Sequence, residues 1–329
     1  MAVDVTGTVE HIEKPQPDVR RSNPAATQRE RAKLRKGLLF ISPWIVGFLA
    51  FVVYPIFYSF GISLTRYSGM LTPEWVGFSN YARIFVDPIA LKATGNTLFY
   101  TGLAVPVGLV VAVLLALAMN RNVREVGLYR TALYLPTLVP LFAMSFIFIV
   151  FVNPQYGLLN QFLGLFGGGD TNLLGDPTDA KIVIVAMAQL GAGSAALIFL
   201  AGLNNIPKSL YEAARVDGAG PMRSFFTITL PLLTPAILFN FITAVSAGLQ
   251  VFTQGFVLTN GGPNNGTLFY MHYLYKNAFQ FFQMGYASAL AWILLVMILI
   301  LTALVFRGSA FWVFYESARP TKENRVRNR

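Results

Sequence analysis

The sequence of 329 residues has no cysteine and only two histidines, His11 and His272. Without cysteine the chain has no disulfide, thiolate metal site or cysteine nucleophile, and two distant histidines provide no histidine-based metal or catalytic cluster. Charge is also scarce, since Asp, Glu, Lys and Arg make up 12% of the residues against about 25% in a soluble domain. With 55% hydrophobic residues, too little polar surface remains for a water-soluble globule. The composition argues against a cytosolic enzyme and a disordered chain, and it indicates several membrane spans.

Charged residues are missing altogether from six long apolar windows. A helix needs roughly 20 apolar residues to cross a bilayer, and all six windows meet this length. They are Leu38–Leu64, Thr97–Met119, Thr131–Val152, Ile182–Leu203, Leu232–Leu258 and Tyr286–Phe306. The windows predict an all-α membrane protein with six transmembrane helices. Around them we expect a polar, partly disordered tail at 1–36, a six-span domain at 37–307 and a basic tail at 308–329.

The net charge of +10 is distributed unevenly between the two sides of the predicted membrane domain. If the N-terminus is cytoplasmic, 20 of the 25 Lys and Arg residues lie on that side, in both tails and in segments 120–130 and 204–231. Because cytoplasmic loops carry the basic excess, both termini are expected inside the cell. The positive charge is then a topology signal and a contact with anionic lipid of the bilayer. No folded nucleic-acid-binding module is visible, so we expect no nucleic-acid partner.

The loop between the fourth and fifth windows carries the most specific local signals. Ser209 and Glu212 have the S-x-x-E spacing of a capping box, which predicts that a helix starts at Ser209 and continues to Asp217. Gly218 suits a left-handed stop after that helix, and Pro221 suits the first turn of a second helix. The pattern predicts a short cytoplasmic helix, a glycine turn and a second helix leading into the fifth span. On these signals alone, the loop could equally be an ordinary capped connector.

The same loop resembles the signature loop of the membrane-spanning subunits of bacterial ATP-binding-cassette importers. All seven defining positions match the spacing E-A-A-x3-G-x9-I-x-L-P, namely Glu212, Ala213, Ala214, Gly218, Ile228, Leu230 and Pro231. Other stretches are similar to the carbohydrate-uptake branch, of the maltose and glycerol-phosphate permease kind. These are Tyr54-Pro55-Ile56, Asn96-Thr97-Leu98, Tyr134-Leu135-Pro136 and the run from Leu258 to Pro263. The resemblance covers residues 40–305, almost the whole predicted membrane domain.

The resemblance implies a role for the loop and a set of partners. In this family the loop is a coupling helix that docks on a cytosolic ATPase subunit, which assigns the docking element to Glu212, Ala213, Ala214 and Gly218, with Arg215 and Asp217 at its rim. It further implies a second homologous permease subunit, an ATPase dimer and an external solute-binding protein in a bacterial cytoplasmic membrane. The implied activity is ATP-driven import, by alternating access, of a sugar, oligosaccharide or sugar derivative.

Two further absences agree with a subunit that performs no covalent chemistry itself. The sequence has no G-x-x-x-x-G-K-[ST] loop, so it cannot bind ATP in the P-loop manner. We expect no cofactor on this chain, with ATP and Mg²⁺ bound by the partner ATPase subunits. The six windows contain no ionisable residue of the kind that proton- or sodium-coupled carriers keep inside the membrane. The alternative hypothesis is a stand-alone membrane enzyme or a channel-like scaffold.

The fifth window is the least apolar, and its polar residues recur at helical spacing. Asn240, Thr243, Ser246, Gln250, Thr253 and Gln254 occupy one face roughly 140° wide on a continuous helix. Uncharged amides and hydroxyls along a path would suit a neutral polyol or sugar, and Gln189 in the fourth window is a further candidate. We therefore predict a solute pathway along this face. The competing interpretation is that these groups bind neighbouring helices, as polar residues in membrane spans often do.

Overall fold

The computed structural model describes residues 24–121, 124–167 and 172–314. The remainder of the two predicted tails, 1–23 and 315–329, lies outside the described residues. Within the predicted N-terminal tail the chain is helical from Pro24 onwards. Contacts divide the chain at Tyr58 into two compact units.

In its described residues the first unit is helical, and most of its apolar side chains are exposed. It contains helix α1 (Pro24–Phe48), a π-helical turn (Leu49–Val53) and the beginning of α2 (Tyr54–Ser63). Side chains such as Phe40, 87% exposed, and Phe51, 83% exposed, face outwards. A helix that is apolar on all sides without being buried in protein is suited to lipid.

The second unit, from Ser59 onwards, is a helical bundle with one two-stranded hairpin, β1 (Thr65–Arg66) paired antiparallel with β2 (Glu74–Trp75). Its first helices are α3 (Ser79–Val86), α4 (Pro88–Met119), α5 (Val126–Tyr134), α6 (Leu141–Phe151), α7 (Leu158–Gly164), α8 (Pro177–Ala188) and α9 (Gly193–Asn205). They are followed by α10 (Lys208–Val216), α11 (Pro221–Ser224), α12 (Leu230–Leu249), α13 (Thr253–Thr259), α14 (Tyr270–Tyr275) and α15 (Met284–Ser309). Helix α4 is central and packs against α9 and α12.

Five continuous helices within the described residues are long and apolar enough to cross a membrane: Arg35–Ser63, Pro88–Met119, Pro177–Asn205, Pro221–Leu249 and Met284–Ser309. A sixth crossing requires the pair Val126–Leu138 and Leu141–Phe151, which is bent by 90°. The predicted all-α membrane fold is confirmed, with five spans or six if the bent pair is one span. Helices α9 and α12 pack closely at Gly202, because a Cβ on this residue would lie 2.8 Å from the Leu233 side chain.

The third predicted span, Thr131–Val152, is not one straight helix. A 3-10 turn, Leu135–Leu138, follows α5, and Val139 is extended, with φ −70° and ψ 123°. The residue before a proline is disfavoured in the helical region, and Pro140 has no N–H to continue the ladder. The proline pair Pro136 and Pro140 thus accounts for the bend.

A cluster of hydrogen bonds around Asp87 connects three helices at the end of the bundle opposite α10. The Asp87 carboxylate accepts hydrogen bonds from the Tyr273 hydroxyl at 2.6 Å and the Tyr286 hydroxyl at 2.8 Å. It also caps α4 by accepting from the backbone N–H of Ile89 and Ala90. A single side chain therefore connects α4 to α14 and α15.

Candidate functional site: the α10 loop and a polar cavity

The short helix predicted after the fourth span is present as α10, and its end has the predicted geometry. Gly218 adopts φ +75°, the left-handed conformation that glycine tolerates best. The N–H of Ala219 donates to the Ala214 carbonyl at 2.8 Å, and the N–H of Gly218 donates to the Arg215 carbonyl at 3.0 Å. This pair of bonds is the Schellman motif, so the carbonyls at the helix end are satisfied inside the loop.

The beginning of α10 differs from the prediction. The helix starts at Lys208 and its N-cap is Pro207, which makes no side-chain capping bond. Ser209 therefore lies inside the first turn, and the predicted capping box of Ser209 and Glu212 is wrong. The physical reason is Pro207. Its fixed φ of −59° allows the helix to start at Lys208, one residue before the predicted start at Ser209. As the residue before a proline, Ile206 stays extended.

The second helix of the loop starts as predicted and continues without a stop into the fifth span. Pro221 is its first residue, and Gly220 is the N-cap. A π-helical turn, Phe225–Thr229, joins α11 to α12. The Tyr211 hydroxyl lies 2.8 Å from Thr229 Oγ1. Helix α10 is therefore attached to the base of the fifth span by both the short Gly218 turn and a side-chain hydrogen bond.

The predicted docking residues lie on an accessible surface of this loop. Glu212, Ala213, Arg215, Asp217 and Gly218 are exposed, and Ala214 is half-buried. None of them forms an ion pair with another described residue. Val216 beside them is 88% exposed, so the loop presents small, apolar and charged groups together on an accessible surface.

The fifth span ends earlier in the sequence than predicted. Helix α12 ends at Leu249, the backbone of Phe252 turns away with φ −139° and ψ −62°, and α13 begins at Thr253. The prediction of one continuous helix over Leu232–Leu258 is therefore wrong. Helix α13 packs closely on the segment 267–269 at Gly255. A Cβ at this position would lie 2.7 Å from both the Phe269 ring and the Thr267 carbonyl oxygen. Close packing on that segment fixes the direction of α13.

The break places the predicted polar residues around one cavity of ≈ 820 Å³. Six of the seven predicted pathway residues line it, namely Gln189, Asn240, Thr243, Gln250, Thr253 and Gln254. Ser246 does not line it; its carbonyl oxygen accepts from Gln250 Nε2 at 3.0 Å. The cavity is also lined by Thr137 and Ser194. Neither is among the predicted pathway residues, because they belong to the third and fourth spans and share no periodic pattern with the fifth.

Irregular backbone from three spans meets at this cavity. The lining includes Leu138–Pro140, the 3-10 turn Gln189–Ala192 and the break at Gln250–Phe252. Non-helical backbone at membrane depth is tolerated where it is buried in protein or lines a water-filled space. Backbone from all three breaks therefore borders the cavity, whose lining combines polar and apolar side chains. Across residues 24–121, 124–167 and 172–314, no group of three His, Asp or Glu side chains is arranged to hold a metal ion.

The described chain thus combines long apolar helices, a cavity lined in part by uncharged polar side chains, and an exposed α10 loop. Residues 104–311 match the family model described as "Binding-protein-dependent transport system inner membrane component", and the chain belongs to this family. The resemblance to importer permeases seen in the sequence is thereby confirmed, and the protein is a transport subunit.

Individual proteins show the same relationship. The chain is 38% identical over 304 residues to the probable ABC transporter permease protein YesP of Bacillus subtilis strain 168, covering 90% of this chain and 98% of YesP. It is 36% identical over 274 residues to the sulfoquinovosyl glycerol transport system permease protein SmoG of Agrobacterium fabrum, covering 82% and 89%. Its fold is similar to a chain of a solved bacterial ABC transporter that imports the acidic polysaccharide alginate, with a TM-score of 0.74, 24% identity and coverage of 88% and 99%.

Proposed function

We propose that this chain is the permease subunit of an importer for a sugar, oligosaccharide or sugar derivative, working by alternating access. The observation that carries the proposal is the cavity of ≈ 820 Å³, on which six uncharged polar side chains of the fourth span, the fifth span and the segment up to α13 converge. Such groups can exchange hydrogen bonds with the hydroxyls of a sugar. The names of SmoG and of the alginate transporter point to the same class of solute. Family membership favours this function over a stand-alone enzyme or channel-like scaffold.

The proposed assembly contains a second homologous permease subunit, a cytosolic ATPase dimer that binds ATP and Mg²⁺, and an external solute-binding protein. The subunit lies in the bacterial cytoplasmic membrane with both termini in the cytoplasm, as the distribution of Lys and Arg favours. This orientation puts α10 on the side of the ATPase. The chain itself binds no cofactor and no nucleic acid.

The proposed coupling element is the exposed surface of α10, with Glu212, Ala213, Ala214 and Gly218 against the ATPase and Arg215 and Asp217 at the rim. A displacement of α10 reaches the fifth span because the two are joined by the Gly218 turn and by the bond between Tyr211 and Thr229. Because α11 and α12 form one continuous helix up to Leu249, a displacement of α11 is transmitted along this helix to the break that lines the cavity. This is rigid-body motion transmitted to a site at membrane depth.

The coupling proposal is tested in the assembled transporter, reconstituted with its partner subunits. Gly218→Ala forces a side chain into the left-handed region, at a cost of about 1–2 kcal/mol, and Glu212→Lys reverses a charge on the docking surface. Both are expected to lower transport per ATP hydrolysed while leaving membrane insertion intact. Gly220→Ala is the matched control, because Gly220 has φ −73° and open space around its Cα. Wild-type coupling in both test variants would refute the proposal.

The pathway proposal is tested at Gln250, which lines the cavity, against Gln280, which is exposed and does not line it. Gln250→Leu removes a polar group of similar size from the wall and is expected to reduce solute uptake several-fold without loss of assembled complex. Gln280→Leu makes the same substitution away from the cavity, and this control is expected to transport normally. If Gln250→Leu also transports at the wild-type rate, the polar face has a packing role only.

A further inference from the structure

The Asn96 side chain of α4 holds the segment 265–270 against this helix. Its Nδ2 atom donates two hydrogen bonds, to the carbonyl oxygens of Asn265 at 2.7 Å and of Leu268 at 3.0 Å. Asn96 is 6% exposed, so water does not readily replace it as a donor. Because a buried carbonyl that loses its donor is costly, the position of the segment depends on both N–H groups of this one amide.

Two further contacts join the same segment to α4. The N–H of Tyr270 donates to the Thr97 hydroxyl oxygen at 2.8 Å, and this hydroxyl donates to the Ala93 carbonyl at 2.9 Å. One turn after Asn96, the ring centroids of Tyr100 and Phe269 are 5.4 Å apart. The segment is therefore fixed along one side of α4, with the Asn96 amide at its beginning.

The opposite side of this segment packs directly on α13. A Cβ on Gly255 would lie 2.7 Å from both the Thr267 carbonyl oxygen and the Phe269 ring, so no free space separates the two elements. Gly255 follows Thr253 and Gln254, which both line the cavity. A shift of the segment would therefore displace the two polar residues that α13 contributes to the cavity wall.

Asn96 also contacts the fourth span. Its Oδ1 atom accepts a hydrogen bond from Lys181 Nζ at 3.5 Å, and Lys181 belongs to α8. Helix α8 leads into the 3-10 turn Gln189–Ala192, which borders the cavity. The amide thus connects α4 to a second element of the cavity, although Asn96 itself does not line it.

We propose that Asn96 is a positioning residue for the cavity: by holding the segment 265–270 against α13, it determines where Thr253 and Gln254 lie in the cavity wall. The inference rests on the proposed function and adds to it a residue that does not touch the solute. A side-chain amide has two N–H donors and an acceptor oxygen, and Asn96 uses all three. Leucine has none of these groups, and an ionised aspartate has no donor.

The test is the thiol reactivity of α13 in the assembled transporter. The chain has no cysteine, so Thr253→Cys introduces its only thiol, whose reaction with a water-soluble maleimide is followed on this chain after gel electrophoresis. Thr253 is half-buried, and release of α13 should expose it. Asn96→Leu is expected to raise the reaction rate about tenfold, the change that loss of one net hydrogen bond produces in an equilibrium. An unchanged rate overturns the inference.

A second thiol position separates positioning from a general loss of stability. Thr243→Cys reports on α12, which lines the cavity before the break. Asn96→Leu should leave the maleimide reaction at this position unchanged. An equal rise in rate for Thr243→Cys and Thr253→Cys indicates general loosening of the bundle and overturns the inference.

Asn80→Leu is the matched control for the loss of an amide. Asn80 Nδ2 also donates to two backbone carbonyls, those of Ser63 at 2.8 Å and Thr65 at 2.9 Å. This variant should leave the reactivity of Thr253→Cys unchanged, and a rise equal to that of Asn96→Leu overturns the inference. If Asn96→Leu yields no assembled complex, Asn96→Asp is measured in the same way, because it keeps the side-chain shape and removes both N–H donors. The same rise is expected, and an unchanged rate again overturns the inference.

Uptake into proteoliposomes distinguishes this inference from the proposed function. Labelled maltose, lactose and cellobiose are supplied with the solute-binding protein outside and ATP inside. Asn96→Leu should lower the uptake of a disaccharide that the wild type transports several-fold, whereas Asn80→Leu should not. A raised rate at Thr253→Cys together with wild-type uptake in Asn96→Leu supports the positioning but overturns the pathway role of α13 in the proposed function.

Discussion

Asp87 gives the sharpest test of how the bundle is held together. One carboxylate oxygen accepts from the N–H groups of Ile89 at 2.9 Å and Ala90 at 3.3 Å, and the other accepts from two tyrosine hydroxyls. Tyr273 is 6% exposed and Tyr286 is 2% exposed, so neither hydroxyl has ready access to water. Removing the carboxylate by Asp87→Ala leaves the helix uncapped and both hydroxyls without their acceptor.

The magnitude follows from these contacts. Loss of an N-cap costs about 1 kcal/mol, and each hydrogen bond to a charged group contributes about 1.5–3 kcal/mol. The lower ends add to a destabilisation of about 4 kcal/mol, which corresponds to a fall in Tm of roughly 8 °C in a domain of this size. Asp87→Asn keeps an acceptor and the cap, so its effect should be about 1–2 kcal/mol.

The pH dependence has a defined sign. Burial raises the pKa of Asp87, but the hydrogen bonds from Tyr273, Tyr286 and the α4 backbone outweigh it and hold the pKa below its ordinary value. A lowered pKa means that the stabilisation is fully present above the unfolded pKa of about 3.9 and is lost as the pH falls through the folded value. The Tm difference between wild type and Asp87→Ala should therefore be constant from pH 8 to pH 5 and shrink only below about pH 4.

The assay is thermal unfolding of the assembled transporter, followed by intrinsic fluorescence. Asp176→Ala is the matched control, because Asp176 also caps a helix, with bonds to Thr178 N at 2.7 Å and Asp179 N at 3.1 Å, and has no tyrosine partner among the described residues. Its expected cost is about 1 kcal/mol. If Asp87→Ala lowers Tm no more than Asp176→Ala, the reasoning about the tyrosine bonds is refuted.

Two further predictions rest on buried positions. Burial, followed by the charge of Lys276, lowers the pKa of His272 to about 4. The stability of the protein should therefore be constant above the unfolded pKa of about 6.5 and fall as the pH drops from there towards 4. His272→Phe should flatten that part of a curve of Tm against pH. Gly285→Ala places a Cβ against the Thr65 carbonyl oxygen and should severely reduce the yield of folded protein. Gly102→Ala is the control and should not, because the space around Gly102 is open. Equal yields of the two variants would show that the hairpin of β1 and β2 moves away from residue 285 without cost.

Several features of the site were predictable because their causes are local in sequence. Gly218 and Pro221 determine the end of one helix and the start of the next through their own allowed backbone angles. Proline also explains the error at the start of α10, since Pro207 acts more strongly than the side-chain signal of Ser209. The same property of proline accounts for the bend before Pro140.

Other features depend on residues that are distant in sequence. The polar face of the fifth span follows helical periodicity only as far as Gln250. Thr253 and Gln254 still reach the cavity, but by way of a break fixed by the contact of Gly255 with Thr267 and Phe269. No periodicity within one span contains that information.

The sequence by itself determined that the chain is a membrane protein, where most of its spans lie and which loop carries the family motif, because charge-free length and glycine or proline geometry act over a few residues. Tertiary structure alone decided that Gln189 joins Asn240 at one cavity and that Asp87 meets a tyrosine 186 residues away. The reason is that hydrogen bonds and steric contacts between helices depend on how the helices pack. That packing is a property of the whole bundle and not of any segment.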